Sequence, residues 1–212
     1  MKGRTVLIAG GGLVVLLTAW LGYWYGYGGR AASLAESDDP DDRIEAVKEL
    51  SGKWGPLARK TLTRLPDDPD DKVARAAVRA IGERRDDASR QTLEQVLASQ
   101  RRPAVRAEAA SALGKYPETS VTVLTGVLER DPEPVVREKA ATGLAARRDV
   151  SAVGALVDRL EFDPDVKVRK SSYLALRRIL KVRFIYDAEA PLHERRRRVA
   201  VIRSILRRYK LL

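Results

Sequence analysis

The residues with the strongest potential for chemistry lie near the end of the chain, in the segment PLHERRRRVAVIRSILRRYKLL. It contains four consecutive arginines, Arg195–Arg198, and the single histidine of the sequence, His193. From Asp165 onward, 15 Lys and Arg residues stand against 4 Asp and Glu residues, so this part carries the whole formal charge of +11. Guanidinium groups bind carboxylates and phosphates through paired hydrogen bonds. The pattern therefore predicts a binding surface for an acidic partner.

The sequence does not predict a catalytic site. An active site needs several titratable groups with complementary roles. His193 is expected to be exposed in the first turn of the last helix, and no Ser-His-Asp set is recognisable without a second histidine. The absence of cysteine excludes disulfides, thiolate chemistry and cysteine-held metals. No glycine-rich phosphate loop is present, since Gly10–Gly12 fall in an apolar segment. We expect no enzymatic activity, no cofactor and no metal.

The acidic sequence DDPDD occurs twice, at residues 38–42 and 67–71. Common calcium loops alternate their acidic residues and contain a turn glycine, whereas these clusters contain a proline and no glycine. Asp at the start of a helix accepts hydrogen bonds from the first free backbone amides. We therefore interpret both clusters as helix caps.

The chain begins with an uncharged stretch from Thr5 to Gly29. Its apolar part, Val6–Tyr25, has 20 residues, which at about 1.5 Å per residue spans a hydrocarbon core of about 30 Å. This predicts a transmembrane helix. Lys2 and Arg4 before it predict a cytoplasmic amino terminus and a solenoid on the extracytoplasmic (periplasmic) side. The competing interpretation is a signal peptide that is cleaved near Ala35.

Two further features belong to this predicted span. Gly22 and Gly26 form a GxxxG pattern, which favours close packing with another membrane helix. Aromatic side chains favour the headgroup layer of a bilayer. The predicted interfacial aromatic residues are Trp20, Tyr23, Trp24, Tyr25 and Tyr27.

The remainder of the chain is a repeat array. Two apolar positions recur at intervals of 31 or 32 residues, and neither is readily obtained by chance. Each unit is predicted to contain two helices, the first opened by an acidic or proline-bearing turn and three of them ended by Gly52, Gly82 and Gly114 in a left-handed cap. The recurring positions are Ala46, Ala77, Ala109, Ala140 and Ser172, followed four residues later by Leu50, Ile81, Leu113, Leu144 and Leu176.

These positions resemble the HEAT-repeat family, in the short bacterial form also seen in bilin-lyase-like proteins. Val105-Arg106, Val136-Arg137 and Val168-Arg169, each followed by a small residue and then Leu, carry the resemblance, whereas Ala74 departs from it. The resemblance implies an all-α fold, a right-handed α-solenoid of about five helical hairpins. The predicted divisions are a stub and transmembrane helix at 1–29, a linker at 30–40 and a solenoid at 41–212, with repeats near 41–66, 67–99, 100–130, 131–162 and 163–212.

The last segment forms an amphipathic helix, since Val199, Ile202, Leu206 and Tyr209 recur at three- and four-residue spacing. A polar cap of the array explains the helix but not the number of its cations, so we expect them to bind a partner. An acidic protein surface is favoured over anionic lipid, and nucleic acid is disfavoured because no aromatic residues interleave with the arginines. The predicted partner-binding residues are Arg195, Arg196, Arg197, Arg198, Arg203, Arg207, Arg208 and Lys210.

The predicted function is a membrane-anchored scaffold that binds or braces another protein, as a non-catalytic accessory subunit of a membrane complex. The alternative is a cytoplasm-facing tether whose basic end binds anionic lipid or nucleic acid. A third possibility, an enzyme of the lyase-like branch, rests on family analogy alone, because the sequence offers no residues to which such activity can be assigned.

Overall fold

The computed structural model describes residues 28–53, 55–116 and 120–212, and in these it contains eleven α-helices and no strand. The all-α class is therefore confirmed, and the architecture is consistent with a HEAT-like solenoid. The helices are α1 (Gly29–Leu34), α2 (Pro40–Ser51), α3 (Pro56–Arg64), α4 (Asp71–Arg84), α5 (Asp87–Ser99), α6 (Pro103–Leu113), α7 (Ser120–Arg130), α8 (Pro134–Arg147), α9 (Val153–Phe162), α10 (Val166–Leu180) and α11 (Leu192–Arg208).

The predicted single-pass membrane localisation is contradicted. Over the three described ranges, no helix is both long and apolar enough to cross a bilayer. Gly29, the last residue of the uncharged stretch, begins α1, a helix of 6 residues that contains the charged Arg30 and buries Ala31. The rest of the predicted span up to Tyr27, with its aromatic residues and the Gly22/Gly26 pair, lies outside the described residues.

The chain divides into two compact units at Ile81–Gly82. In the described part of the first unit, α1 packs against α2 and α3, and α2 packs against α3. The two repeat positions of this unit are filled by Ala46 and Leu50, both fully buried. Ala58 and Leu62 from α3 complete the core between the paired helices, as a helical hairpin with one apolar stripe on each helix requires.

In the second unit, the first helices of successive hairpins pack side by side, α6 on α8 and α8 on α10. Each intervening second helix packs on the first helix that follows it, α7 on α8 and α9 on α10. The small repeat residues Ala109, Ala140 and Ser172 are fully buried. Because their side chains are short, the neighbouring helices can approach closely, and each hairpin is sealed by the next one.

The predicted left-handed glycine caps are wrong. Gly52 and Gly114 have right-handed backbone angles at the ends of α2 and α6, and Gly82 lies within α4. The second unit instead uses glycine for close approach, since a Cβ on Gly114 would lie 2.5 Å from the Cα of Gly143. Among the described residues, the left-handed conformation at helix ends is adopted by arginine and lysine instead: Arg85, Arg148, Lys181 and Lys210, with φ of 55°, 56°, 56° and 57°.

The interpretation of the acidic turns as helix caps is confirmed. Oδ1 of Asp39 accepts a hydrogen bond from the amide of Asp41 at 2.9 Å, which caps α2. Oδ1 of Asp70 accepts from the amides of Lys72 and Val73 at 2.7 and 3.1 Å, which caps α4. The Val73 amide is the main reason why the pKa of Asp70 lies below its usual value. Within the described residues, no group of acidic side chains is arranged to hold a metal ion.

The cap at Asp70 predicts an acid-dependent contribution to stability. Because its pKa is lowered in the folded state, the contribution is present above the unfolded pKa of about 4 and is lost as the pH falls through the folded pKa. We expect Asp70→Ala to lower the urea midpoint at neutral pH, with a difference from the parent protein that narrows at acid pH. Asp38→Ala removes the same charge without removing a cap, and an equal effect of the two substitutions would contradict the assignment.

Candidate functional site

Three arginines with little exposed surface each pair with an aspartate in the same way. Arg43 donates from Nε and Nη2 to the two carboxylate oxygens of Asp68 at 2.8 and 3.0 Å. Arg106 makes the same paired contact with Asp131, at 2.9 Å for both bonds. In the third copy, Arg137 Nε and Nη2 lie 2.9 and 3.0 Å from the oxygens of Asp163, whose residue surface is fully buried. Each arginine is the fourth residue of the first helix in its hairpin.

The remaining nitrogen of each arginine, Nη1, donates hydrogen bonds to backbone carbonyl oxygens of the preceding turn. Nη1 of Arg137 donates to the carbonyl oxygens of Asp131 and Pro132 at 2.9 and 3.0 Å. The aspartate at the other end also accepts a backbone amide, that of Asp165 on Asp163 at 3.0 Å. One guanidinium therefore connects the turn before its helix with the turn after its hairpin. The carboxylate hydrogen bond is the main reason why the pKa values of these arginines are raised, and their role is structural.

Two repeats lack the arginine–aspartate pair. The second has Ala74 in place of the arginine, and Gln100 stands where the others have aspartate. The Gln100 side chain still accepts the amide of Arg102 at 3.2 Å, so it retains the backbone contact without the charge. In the fifth repeat Arg169 is present, and its Nε donates to the carbonyl oxygen of Ala188 at 2.8 Å instead of to a carboxylate.

Residues 181–191 form an extended strap that follows α10 and is held to it by hydrogen bonds. The Tyr173 hydroxyl on α10 donates to the carbonyl of Phe184 at 2.7 Å. The Tyr186 hydroxyl donates to the carbonyl of Leu160 at 2.6 Å, which joins the strap to α9. Burial raises the pKa of Tyr186 to about 12. Together with the Arg169–Ala188 bond, these contacts hold the strap against α10 and α9.

The structure divides the predicted basic residues of α11 into two sets. The inward set pairs with α9: Arg203 donates to Glu161 and Asp158, both at 2.7 Å, and Arg196 lies 3.5 Å from Glu161. Arg195 donates to the carbonyl oxygen of Ala190 at 2.9 Å. Arg195 and Arg203 are partly buried and help to hold α11 on the array, whereas the Arg196 side chain remains 59% exposed beside Glu161.

The outward set consists of five exposed cations, and none of them forms an ion pair within the described part of the chain. Four of them lie on α11, and Lys210 follows its end. The same helix exposes Val201 and Ile205, by 55% and 38%. An open groove of about 440 Å³ is lined by Val201, two of the cations and Glu194. The outward set is Arg197, Arg198, Arg207, Arg208 and Lys210.

A second, larger groove lies between α5 and α7, with a volume of about 690 Å³. Its lining includes Leu97, Val123 and Val127, and the buried Arg106–Asp131 pair lies at its border. Both charged groups of that pair are already engaged with each other. The groove therefore has an apolar wall that can accept a side chain.

The successive helix pairs and their shared apolar positions define the class, a helical-repeat protein. A model of HEAT repeats matches three overlapping stretches, residues 30–114, 58–139 and 121–201. The chain therefore belongs to the HEAT-repeat family, as the sequence resemblance indicated. No curated protein sequence matches it.

Three solved structures are similar to this chain at low identity. An engineered protein is 21% identical, with a TM-score of 0.46, over 71% of this chain and 78% of its own. Human deoxyhypusine hydroxylase is 16% identical, with a TM-score of 0.39, over 85% of this chain and 96% of its own. The CpcE–CpcF complex of phycocyanin lyase from a Nostoc species is 16% identical, with a TM-score of 0.36, over 83% of this chain and 97% of its own.

The sequence singled out Arg106 and Arg137 only as markers of the repeat, and it did not single out Arg43. Their partners were not predicted, although Asp68, Asp131 and Asp163 follow the arginines at a constant 25 or 26 residues. That spacing is the signal from which the pairs can be recognised. In the second repeat Ala74 replaces the arginine and Gln100 replaces the aspartate. The joint loss of both charges is what a paired contact predicts.

The buried pair between Arg137 and Asp163 predicts a large effect when one partner is removed. Arg137→Ala leaves the fully buried Asp163 carboxylate with only Arg159, whose Nη1 lies 3.9 Å away, and removal of one partner of a buried pair costs about 3–5 kcal/mol of unfolding free energy. Arg137→Met with Asp163→Asn removes both charges and retains an acceptor for the Asp165 amide, so the double variant is expected to lose less. Urea unfolding measures both. A double variant no more stable than Arg137→Ala would contradict the charge-pair account.

The buried Tyr186 hydroxyl predicts an alkaline loss of stability. Its pKa is about 12 in the folded protein against 10.0 ordinarily, so between these values the unfolded chain releases the proton first and the stability falls as the pH rises. Tyr186→Phe is expected to flatten that dependence, measured by urea unfolding across the alkaline range. Tyr209→Phe, at a tyrosine that is 70% exposed, serves as the control. An unchanged slope in Tyr186→Phe would contradict the prediction.

Proposed function

We propose that this protein is a non-catalytic helical-repeat scaffold that binds an acidic surface of a partner protein, as an accessory subunit of a protein complex. HEAT repeats commonly mediate protein interactions, which makes binding the first expectation for a chain of this family. The finer fold prediction, a right-handed solenoid of about five hairpins, is part of the proposal. The paired helices between Pro40 and Arg208 support it.

The outward set of α11 is the observation that carries the proposal. Four exposed cations without ion-pair partners in the described ranges lie on the same helix as exposed Val201 and Ile205, and Lys210 follows the end of that helix. A mixed apolar and cationic surface suits a folded protein surface, in which apolar contact and carboxylates occur together. Arg203 on the same helix already binds Glu161 and Asp158 at 2.7 Å, which illustrates the contact that the outward cations would make.

The lack of catalysis is supported by the roles of the charged groups. Arg43, Arg106 and Arg137 are occupied by carboxylates and backbone carbonyls, so these charges serve the fold. His193, the single histidine, is exposed and lies 4.0 Å from Glu194. A general base needs a positioned partner and a pocket that holds substrate, and this exposed helix start supplies neither.

A charge-reversal pair tests the proposal. The tagged full chain is purified from its native cells with Arg197→Glu/Arg198→Glu, and co-purifying proteins are quantified against the parent. We expect about tenfold less of a specific acidic partner, because cations at an interface contribute to both encounter and affinity. Lys48→Glu/Lys60→Glu makes the same change in net charge on α2 and α3 and is expected to retain the partner. Equal loss in both variants, or capture abolished by nuclease, would contradict an acidic protein partner.

A further inference from the structure

A separate exposed surface lies at the end of α10 and the start of the strap. Leu174 is 56% exposed, Val182 47% and Ile185 77%. Leu174 and Val182 line the same groove, which has a volume of about 360 Å³. Ile185 does not line this groove and follows Val182 by three residues along the strap. Isolated exposed apolar residues are common, but two that line one groove indicate an interaction site.

The other residues that line this groove are all cations: Arg177, Arg178, Lys181 and Arg183. In the described portion of the chain none of the four forms an ion pair. Cations in the last turn of a helix favour its carbonyl end, which accounts for Arg177 and Arg178. Arg183 lies beyond the helix, so this explanation does not extend to it. The excess of positive charge around the groove is therefore not explained by stability of α10.

The backbone that carries Ile185 is held on both sides. The carbonyl of Phe184 accepts the Tyr173 hydroxyl at 2.7 Å, and the Tyr186 hydroxyl donates to Leu160 at 2.6 Å. Phe184 is 7% exposed, while its neighbour Ile185 points its apolar side chain outward. A side chain presented on an anchored backbone loses little conformational freedom when a partner covers it.

We propose that this α10-end surface, formed by Leu174, Arg177, Arg178, Lys181, Val182, Arg183 and Ile185, binds an acidic peptide segment of a partner protein through an apolar anchor. The anchor occupies the groove between Leu174 and Val182, while carboxylates on the segment face the four cations. The surface shares no residue with the outward set of α11, and so this inference goes beyond the function proposed above and does not depend on it.

Charge complementarity and the apolar residues together favour this occupant. A nucleic acid would use the cations but would leave Leu174, Val182 and Ile185 in water, and stacking of bases needs an available aromatic face. The nearby ring of Tyr173 is already covered by Arg177 at 5.6 Å and lies 5.5 Å from the ring of Tyr186. An acidic segment with an apolar side chain satisfies both the cations and the exposed aliphatic residues.

Fluorescence anisotropy with the full chain tests the proposal. The probes are a labelled amphipathic peptide of Glu and Leu, a peptide of Glu alone with the same net charge, and a single-stranded oligonucleotide of matched charge. We expect the Glu/Leu peptide to bind about tenfold more tightly than either of the others. Arg178→Glu/Arg183→Glu is expected to weaken its binding at least about tenfold, and Val182→Ser/Ile185→Ser about fivefold, since both charge and apolar contact contribute.

Arg197→Glu/Arg198→Glu is the matched control, because it makes the same charge change on α11. Binding that changes less than about twofold in this variant assigns the peptide to the α10-end surface, whatever the outcome at α11. Circular dichroism and thermal unfolding establish that each variant is folded. The proposal is overturned if no peptide binds, if the Glu peptide or the oligonucleotide binds as tightly as the Glu/Leu peptide, or if the α11 control loses binding equally.

Discussion

The bidentate bond between a buried arginine and a buried aspartate is the contact on which each complete repeat depends. A guanidinium removed from water is tolerated only when its N–H groups find acceptors. Arg137 meets this requirement with two bonds to Asp163 and two to the carbonyl oxygens of Asp131 and Pro132. The same side chain therefore determines where one turn ends and the next begins. The second repeat lacks the pair and still buries Ala77 and Ile81, so the apolar positions themselves pack without it.

The charged residues of the described chain fall into two groups: those paired within the fold and a surplus of unpaired cations. Acidic residues in the turns between repeats pair with arginines, as Asp68 does with Arg43, or cap helices, as Asp70 does. In the last repeat, α11 supplies cations in excess of the acids that α9 offers through Asp158 and Glu161. The surplus is left on the outer side of α11 and around the end of α10. These cations make no ion pair within the described residues, so their charge is not neutralised within the fold.

Much of the fold follows from local chemistry and was predicted on that basis. Alanine and leucine at a spacing of 31 or 32 residues can seal a helical hairpin only against its neighbours, and Asp-Pro turns start helices because of their backbone geometry and their acceptors. The glycine caps show the limit of such inference. Gly114 was assigned a left-handed cap by residue type; it does end its helix, but in a right-handed conformation, and it contacts Gly143 at a distance that excludes a Cβ. Such contact joins residues far apart in sequence, so local pattern does not reveal it.

The amino-acid order by itself established a family of helical repeats, the register of their apolar positions, and a concentration of positive charge in the final quarter. Periodicity and charge are properties of the chain that survive without knowledge of its neighbours. Packing determined how that charge is used. Arg203 and Arg196 face acidic residues of α9, and Arg195 binds the carbonyl oxygen of Ala190. The outward cations make no ion pair within the described residues: Arg197, Arg198, Arg207, Arg208 and Lys210. The choice depends on which face of α11 meets Asp158 and Glu161, and that is a relation between two helices about forty residues apart.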